Sequence, residues 1–247
     1  MKKREYCKIL ILCGLLYMFC LFQFMGISLG QSDDRRRADS KEAVKETADK
    51  DAASIEGEAP RIAITFDDGP SANCTGRLLD GLKERGIKGT FFLIGKMLDM
   101  KFLRENPELV KRLDEEGHLI GNHTYSHVEI TKLSDEDAKK EIMETDRVIS
   151  AITGEHVEYM RPPFGLWQDK LEEELDVMPV MWSIDPLDWT TKNVEEIVNK
   201  VVTEAEDNDI ILLHDCYDTS VEAALRIVDI LKKKGFEFVT VDELLMD

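Results

Sequence analysis

The chain has 247 residues, among them 50 Asp or Glu and 32 Lys or Arg, which gives a formal net charge of -18. This acidic balance argues against a nucleic acid as the partner, because binding to phosphate groups requires a basic surface. The first sixty or so residues differ in composition from the rest of the chain. The remaining roughly 190 residues are enough to form one sizeable hydrophobic core.

The N-terminal part contains a long apolar run without charges, Ile9–Leu29, preceded by several basic residues. About twenty apolar residues can cross a bilayer as a helix, and a basic flank favours a cytoplasmic N-terminus. We therefore predict that residues 1–30 are a signal anchor of a single-pass cell-membrane protein, with the rest of the chain outside the cell. The alternative is a cleaved signal peptide, which would release a secreted protein.

Residues 31–59 are rich in charged side chains and contain no aromatic residue. A segment of this composition cannot bury enough apolar surface to offset the entropy lost on ordering. We predict that it is a disordered spacer between the membrane segment and the folded domain.

From Arg61 onward, short β-type runs alternate with helical ones. Strand runs such as Ile210–Leu213 are apolar on both faces, which is typical of parallel strands covered by helices. The alternation predicts an α/β fold with a parallel sheet, either open or closed into a barrel. The predicted strands are Arg61–Phe66, Gly89–Ile94, His118–Gly121, Glu158–Arg161, Met178–Ile184, Asp209–Leu213 and Phe236–Thr240, and the predicted helices are Thr75–Arg85, Pro107–Glu116, Ser134–Thr153, Val194–Glu206 and Ser220–Lys234.

Polar residues follow these strands at or just beyond their C-terminal ends. In parallel α/β folds the active site is assembled at that edge of the sheet. One such residue could be an accident, but several strands that deliver polar residues to one edge predict a functional site. The residues are Asp67, His123, Arg161, Asp185, Asp188 and His214.

The segment Thr65–Pro70 carries two adjacent carboxylates, Asp67 and Asp68, after the first strand. Its Asp-Gly-Pro sequence is also typical of a simple turn. If the pair is catalytic, one carboxylate can bind a cation while the other accepts a proton from water.

Two histidines, His123 and His127, follow the third strand with a spacing of four residues. On a helical turn this spacing directs both imidazoles the same way, which suits one metal ion. Together with Asp68 they would form a set of two histidines and one carboxylate with open coordination positions. Such a set suits catalytic Zn²⁺, although Fe²⁺ and other divalent ions accept it too.

Two further strand ends carry Arg161 and His214. The arginine could hold a carboxylate in a bidentate pair, or it could be a solvated side chain on a surface turn. The histidine is a candidate general acid, or else a core histidine bonded to the backbone. Asp215, which follows it, could cap the next helix.

The roles of two tryptophans and two cysteines are less clearly indicated by the sequence. Trp182 lies in the middle of a predicted strand and is expected in the core. Trp189 could present its face to a sugar or pack against the protein. Cys74 and Cys216 either form a disulfide or remain two free thiols.

Taken in order, these segments resemble the polysaccharide deacetylase family with the NodB-homology domain, also called carbohydrate esterase family 4. The resemblance extends over Arg61–Leu245, and the motifs of the family all appear in sequence order. It implies a distorted seven-stranded (β/α) barrel that forms a single catalytic domain at residues 60–247.

The resemblance also implies acid–base roles for four residues. Asp67 looks like the catalytic base, and Arg161 looks like the residue that orients it. His214 looks like the general acid, with Asp188 as its partner. No residue of these motifs is missing, so the resemblance implies an active enzyme rather than an inactive one.

The metal ligands implied by the resemblance are Asp68, His123 and His127. The ion is expected to be one divalent metal, Zn²⁺ in the first place, with Co²⁺, Mn²⁺, Ni²⁺ and Fe²⁺ as alternatives. Phe164 stands where the family often has tyrosine, and its backbone N–H would help to bind the oxyanion. The walls of the pocket for the acetyl methyl group would be Trp189 and Leu212.

The implied activity is hydrolysis of N-acetyl groups on a cell-surface polysaccharide, with release of acetate. Peptidoglycan N-acetylglucosamine is the expected substrate, because the anchor and spacer would hold the domain within tens of ångströms of the membrane. Chitin oligomers, poly-N-acetylglucosamine and O-acetyl xylan are alternative substrates. An alternative of another class is a non-catalytic glycan-binding wall protein, which would use the barrel without its chemistry.

Overall fold

The structure, a computed structural model, describes residues 58–100, 107–172 and 174–246. The predicted membrane anchor and nearly all of the predicted spacer lie outside these residues. Within them, no helix has both the length and the apolar character needed to cross a bilayer.

Seven strands of the described ranges, all parallel, form one curled sheet, as the sequence predicted. The hydrogen-bonded order is β5-β4-β3-β2-β1-β6, and β7 pairs with the N-terminal residues of β1. A bridge between Ile184, which follows β5, and Ile211 of β6 links the two ends of this order. The result is a distorted barrel, which confirms the expected fold class. The strands are β1 Arg61–Gly69, β2 Thr90–Leu93, β3 Leu119–Asn122, β4 Tyr159–Met160, β5 Met178–Pro179, β6 Asp209–His214 and β7 Glu237–Val239.

Helices alternate with the strands and cover the outside of the sheet. The longest, α4, begins after Ser134, whose Oγ accepts a hydrogen bond from the Asp137 N–H, and ends at Gly154 with a φ of 86°. Three helices of four or five residues, α2, α5 and α8, were not predicted, because so short a segment shows no helical periodicity. The helices are α1 Thr75–Arg85, α2 Gly95–Asp99, α3 Glu108–Glu115, α4 Asp135–Thr153, α5 Asp169–Glu172, α6 Val194–Glu204, α7 Asp218–Lys233 and α8 Val241–Leu245.

Alternate residues of β1 face two different layers. Ile62, Ile64 and Phe66 pack in the large core together with residues of α1 and α7. Thr65 and Asp67 lie on the opposite face, because side chains alternate along a strand, and both accept hydrogen bonds from one buried arginine inside the barrel. The apolar face of β1 therefore fixes the strand, while its other face carries polar groups to the C-terminal edge.

The predicted strand Met178–Ile184 is shorter than expected. Only Met178–Pro179 forms a strand, and the chain pairs again at Ile184. Between them, the carbonyl groups of Val180 and Met181 accept hydrogen bonds from a side chain, the Arg161 guanidinium, instead of from a neighbouring strand.

Candidate active site

Three candidate metal ligands meet at the C-terminal edge of the barrel. Asp68 Oδ1 lies 3.5 Å from His123 Nε2 and 3.4 Å from His127 Nε2. One ligand atom from each residue falls within a group in which no two atoms are more than 4.8 Å apart. A single ion could therefore contact all three.

The surroundings of these atoms fit a divalent cation. Asp68 Oδ1 is buried and has no hydrogen-bond partner within the described ranges. His123 Nδ1 lies 2.6 Å from the Arg161 carbonyl oxygen. Because a carbonyl oxygen only accepts, we assign the proton to Nδ1, which leaves the Nε2 lone pair free for an ion. Burial lowers the pKa of His123 against the raising effect of the Asp67 and Asp68 charges, so the imidazole is held in its neutral, ligating form.

Asp67 lies behind this group and is almost completely buried. Its Oδ1 accepts a hydrogen bond of 2.9 Å from Arg161 Nη1, and its Oδ2 lies 3.8 Å from His123 Nε2. The first oxygen is therefore engaged by the guanidinium, whereas the second faces the candidate metal site.

Arg161 is fully buried, so the alternative of a solvated surface arginine is wrong. The predicted bidentate pair is also not formed, because only Nη1 reaches Asp67. Nη1 also donates to Thr65 Oγ1 at 2.6 Å, while Nε and Nη2 each donate at 3.1 Å to the carbonyl groups of Val180 and Met181. These bonds fix the guanidinium against both β1 and the segment after β5.

His214 and Asp188 form a second pair at the site, in which Asp188 is buried and His214 is partly exposed. His214 Nδ1 lies 2.7 Å from Asp188 Oδ1, so the ring is paired with a carboxylate rather than with the backbone. Burial lowers the pKa of His214, but the hydrogen bond and charge of Asp188, with Asp67 and Asp68, raise it to about 9. The imidazole is therefore protonated at neutral pH.

A cleft of about 430 Å³ joins these groups. Phe164 and Trp189 are more than half exposed at its mouth, and Leu212 is buried in its wall. Arg161 and Asp188 stand behind the cleft and reach it through Asp67 and His214. The predicted site residues that line it are Asp67, Asp68, His123, His127, Phe164, Asp185, Trp189, Leu212 and His214.

Two aromatic residues of the cleft were not anticipated. Trp182 was expected in the core but is partly exposed and lines the cleft, because the chain leaves the sheet after β5. Tyr217, three residues after His214, also lines the cleft, with its ring centroid 6.4 Å from that of His214. Its position just before α7, in the loop that follows β6, was the available signal.

For Asp215, Cys74 and Cys216, the structure rules out one of the roles considered from sequence. Asp215 is fully buried and does not cap a helix, since α7 begins only after Tyr217. Cys74 and Cys216 are both free thiols rather than a disulfide. Cys74 Sγ instead donates to Asp218 Oδ1 at 3.6 Å.

Comparison with known proteins agrees with this geometry. The family profile described as polysaccharide deacetylase matches residues 54–180. The chain is 39% identical over 184 residues to a peptidoglycan-N-acetylglucosamine deacetylase of Listeria monocytogenes, covering 74% of this chain and 38% of that protein. It is 41% identical over 192 residues to a peptidoglycan-N-acetylglucosamine deacetylase of Bacillus cereus, covering 74% of this chain and 87% of that protein.

The fold is similar to solved structures as well. The peptidoglycan deacetylase PdaC of Bacillus subtilis superposes with a TM-score of 0.72 at 36% identity, over 78% of this chain and 93% of that chain. The chain spans well under half the length of the Listeria monocytogenes relative. The chain belongs to the polysaccharide deacetylase family.

Proposed function

We propose that this chain is a metal-dependent hydrolase that removes acetyl groups from peptidoglycan N-acetylglucosamine and releases acetate. The observation that carries the proposal is the cleft that brings a base candidate, an acid candidate and a metal-ligand set around one point. The peptidoglycan deacetylases to which the chain is similar support the choice of substrate.

Asp67 acts as the general base in this proposal. Its Oδ1 accepts from Arg161 and its Oδ2 faces the ligand group, so Oδ2 is the oxygen that accepts a proton from the attacking water. Arg161 is a positioning residue that aims the carboxylate, because its guanidinium donates to Oδ1 and leaves Oδ2 directed toward the ligand group. The backbone N–H of Phe164 donates to the carbonyl oxygen of the substrate as negative charge develops there.

His214 acts as the general acid. An amine is a poor leaving group unless it is protonated as it departs, and the raised pKa of His214 keeps a proton available at neutral pH. Asp188 holds the ring through Nδ1, so Nε2 is the nitrogen that delivers the proton. Trp189 and Leu212 flank the acetyl methyl group.

Asp68, His123 and His127 would hold one divalent ion, Zn²⁺ in the first place, with Co²⁺, Mn²⁺, Ni²⁺ or Fe²⁺ as alternatives. When bound, such an ion polarises the acetamide carbonyl and makes water more acidic. The neutral form of His123 and the orphaned Asp68 oxygen support this ligand set.

Measurement of acetate release tests the proposal. Peptidoglycan, chitin oligomers, poly-N-acetylglucosamine and acetyl xylan are incubated with the full-length protein, with and without a chelator. We expect the highest rate on peptidoglycan, its loss with the chelator and its return with Zn²⁺ or Co²⁺. No acetate from any substrate after metal is restored would favour a non-catalytic glycan-binding protein instead.

We also propose that the Ile9–Leu29 segment anchors the protein in the cell membrane, with the catalytic domain outside. Its uncharged length supports an anchor over a cleaved signal, whose apolar core is usually about 7–15 residues. Cell fractionation with high-salt and carbonate washes should leave the protein in the membrane. A soluble product that begins near Gln31 would show that the segment is cleaved and the protein secreted.

A further inference from the structure

Asp215 is a buried carboxyl group that the proposed reaction does not use. It follows His214 at the end of β6, and its side chain is completely inaccessible to solvent. Its Oδ2 accepts a hydrogen bond from Thr75 Oγ1, and its Oδ1 has no hydrogen-bond partner in the described part of the chain. Burial of an incompletely paired carboxyl group is unfavourable, so we expect Asp215 to have a role that offsets this cost.

The hydroxyl group of Thr75 connects Asp215 to the loop that follows β1. Thr75 Oγ1 donates its one proton to Asp215 and accepts a hydrogen bond of 2.7 Å from the Ser71 N–H. Thr75 is also the first residue of α1, which gives this hydroxyl a fixed position. Asp215 is thus tied through one side chain to the segment just beyond Asp68.

Gly69 brings the same carboxyl group into contact with the backbone next to Asp68. A Cβ atom on Gly69 would lie 2.6 and 2.7 Å from the two oxygens of Asp215, so the carboxyl group lies directly against the glycine. Asp68 itself has a φ of 71°, and the β1–β2 register is irregular between Asp67 and Gly69. A non-glycine residue in this left-handed conformation persists only when its surroundings hold it there.

We propose that Asp215 is a positioning residue that, with Thr75, holds residues 68–71 against the end of β6. These residues are the irregular end of β1 and the start of the loop after it, and we call them the Asp68 turn. Its function is to keep Asp68 Oδ1 within reach of the two histidines. Asp215 contacts neither the substrate nor the ion in this arrangement. The inference rests on the metal site of the proposed function. It extends that site to a carboxyl group and a hydroxyl group that support the backbone behind the acidic ligand.

Two pairs of substitutions test this role in the full-length protein. Thr75→Val removes the hydroxyl at nearly constant volume, and Thr75→Ser restores it. Asp215→Ala removes both the acceptor and the contact with Gly69, and Asp215→Asn retains the shape. Thr90→Val is the matched control, because Thr90 is equally buried and its hydroxyl accepts the Val241 N–H at the N-terminal end of β2, away from the site.

The readouts are Zn²⁺ affinity by competition with a chromogenic chelator, the absorption spectrum of the Co²⁺ form, and thermal unfolding of the metal-free protein. Loss of a group that orients a metal ligand typically weakens metal affinity about 10–100-fold. We expect that loss for Thr75→Val and Asp215→Ala, with a changed Co²⁺ spectrum. Thr75→Ser and Asp215→Asn should stay close to the unsubstituted protein, and Thr90→Val should lose thermal stability without losing affinity.

Thr75→Val and Asp215→Ala remove the donor and the acceptor of one hydrogen bond, so either variant that folds is sufficient for the test. The inference is overturned if the folded variant binds Zn²⁺ within about twofold of the unsubstituted protein while that protein binds it well. An unsubstituted protein that binds neither Zn²⁺ nor Co²⁺ would overturn the proposed function and this inference together.

Discussion

His214 and Asp188 share two hydrogen bonds, because Asp188 Oδ1 lies 2.7 Å from the ring Nδ1 and Asp188 Oδ2 accepts the His214 backbone N–H at 2.9 Å. The Asp188 carboxylate is almost fully buried, and the two hydrogen bonds from His214 fix its position. Its negative charge opposes the effect of burial, and the pKa of His214 rises to about 9. The pair thus supplies a proton donor whose pKa is raised mainly by Asp188, with smaller contributions from the charges of Asp67 and Asp68.

Replacement of Asp188 by Asn should move the alkaline limb of the pH–rate profile. A general acid acts only when protonated, so the rate should hold below the His214 pKa and fall as the pH rises through it. Without the carboxylate charge, burial lowers that pKa, and a shift of about 1–3 pH units to lower values is expected. Acetate release at pH 6 to 10 measures the shift, and an unchanged limb would mean that His214 is not the acid.

The adjacent aspartates should respond differently to the same substitution. Asp68→Asn replaces an anionic ligand by a neutral one, so Zn²⁺ affinity and activity should both fall strongly. Asp67→Asn leaves the ligand set whole but cannot accept a proton, so it should bind Zn²⁺ nearly normally and lose roughly two or more orders of magnitude in turnover. Bound metal and turnover are measured in both variants.

Excess metal distinguishes the two aspartates further. It should restore part of the activity of Asp68→Asn and none of that of Asp67→Asn. If Asp67→Asn lost its metal while Asp68→Asn kept it, the two assignments would have to be exchanged.

The seven parallel strands and the edge that carries the site followed from sequence, but several contacts did not. Apolar runs stop at Asp67 and His214, which located the polar ends of β1 and β6, although β1 continues to Gly69. Asp67 was the expected partner of Arg161, but two further partners could not be predicted, since they are backbone carbonyls in a segment where β5 ends early. The contacts of Asp215 could not be predicted either. Its neighbours Thr75 and Gly69 are about 140 residues away in the chain and pack on it only after the barrel forms.

Removal of the Arg161 guanidinium should cost both stability and activity. Arg161→Met would leave Asp67 buried without its charge partner, and loss of one member of a buried ion pair typically lowers the free energy of unfolding by about 3–5 kcal/mol. Arg147→Met is a suitable control, because Arg147 pairs with Glu144 on the exposed surface of α4, and the loss of such a surface pair should change stability little. Urea unfolding measures both variants. Equal losses would contradict the buried contacts of Arg161.

Addition of one methyl group at Gly69 should displace the proposed metal ligand Asp68, because it crowds the contact between Gly69 and Asp215. The new Cβ atom would meet the Asp215 carboxyl group at 2.6 Å, so either the carboxyl group or the turn that carries Asp68 must move. Overpacking of this kind typically costs about 1–3 kcal/mol. We therefore expect Gly69→Ala to lower the free energy of unfolding by that amount and to weaken Zn²⁺ binding at least several-fold.

Gly76→Ala provides the matched control for this prediction. Its Cβ atom would lie 3.6 Å from Leu109, an ordinary contact, and the residue is in the first turn of α1, where alanine has the higher helix propensity. This variant should be at least as stable as the unsubstituted protein, with unchanged Zn²⁺ affinity. If Gly69→Ala matched it in both urea unfolding and metal binding, the carboxyl group of Asp215 would not be in close contact with the Asp68 turn in solution.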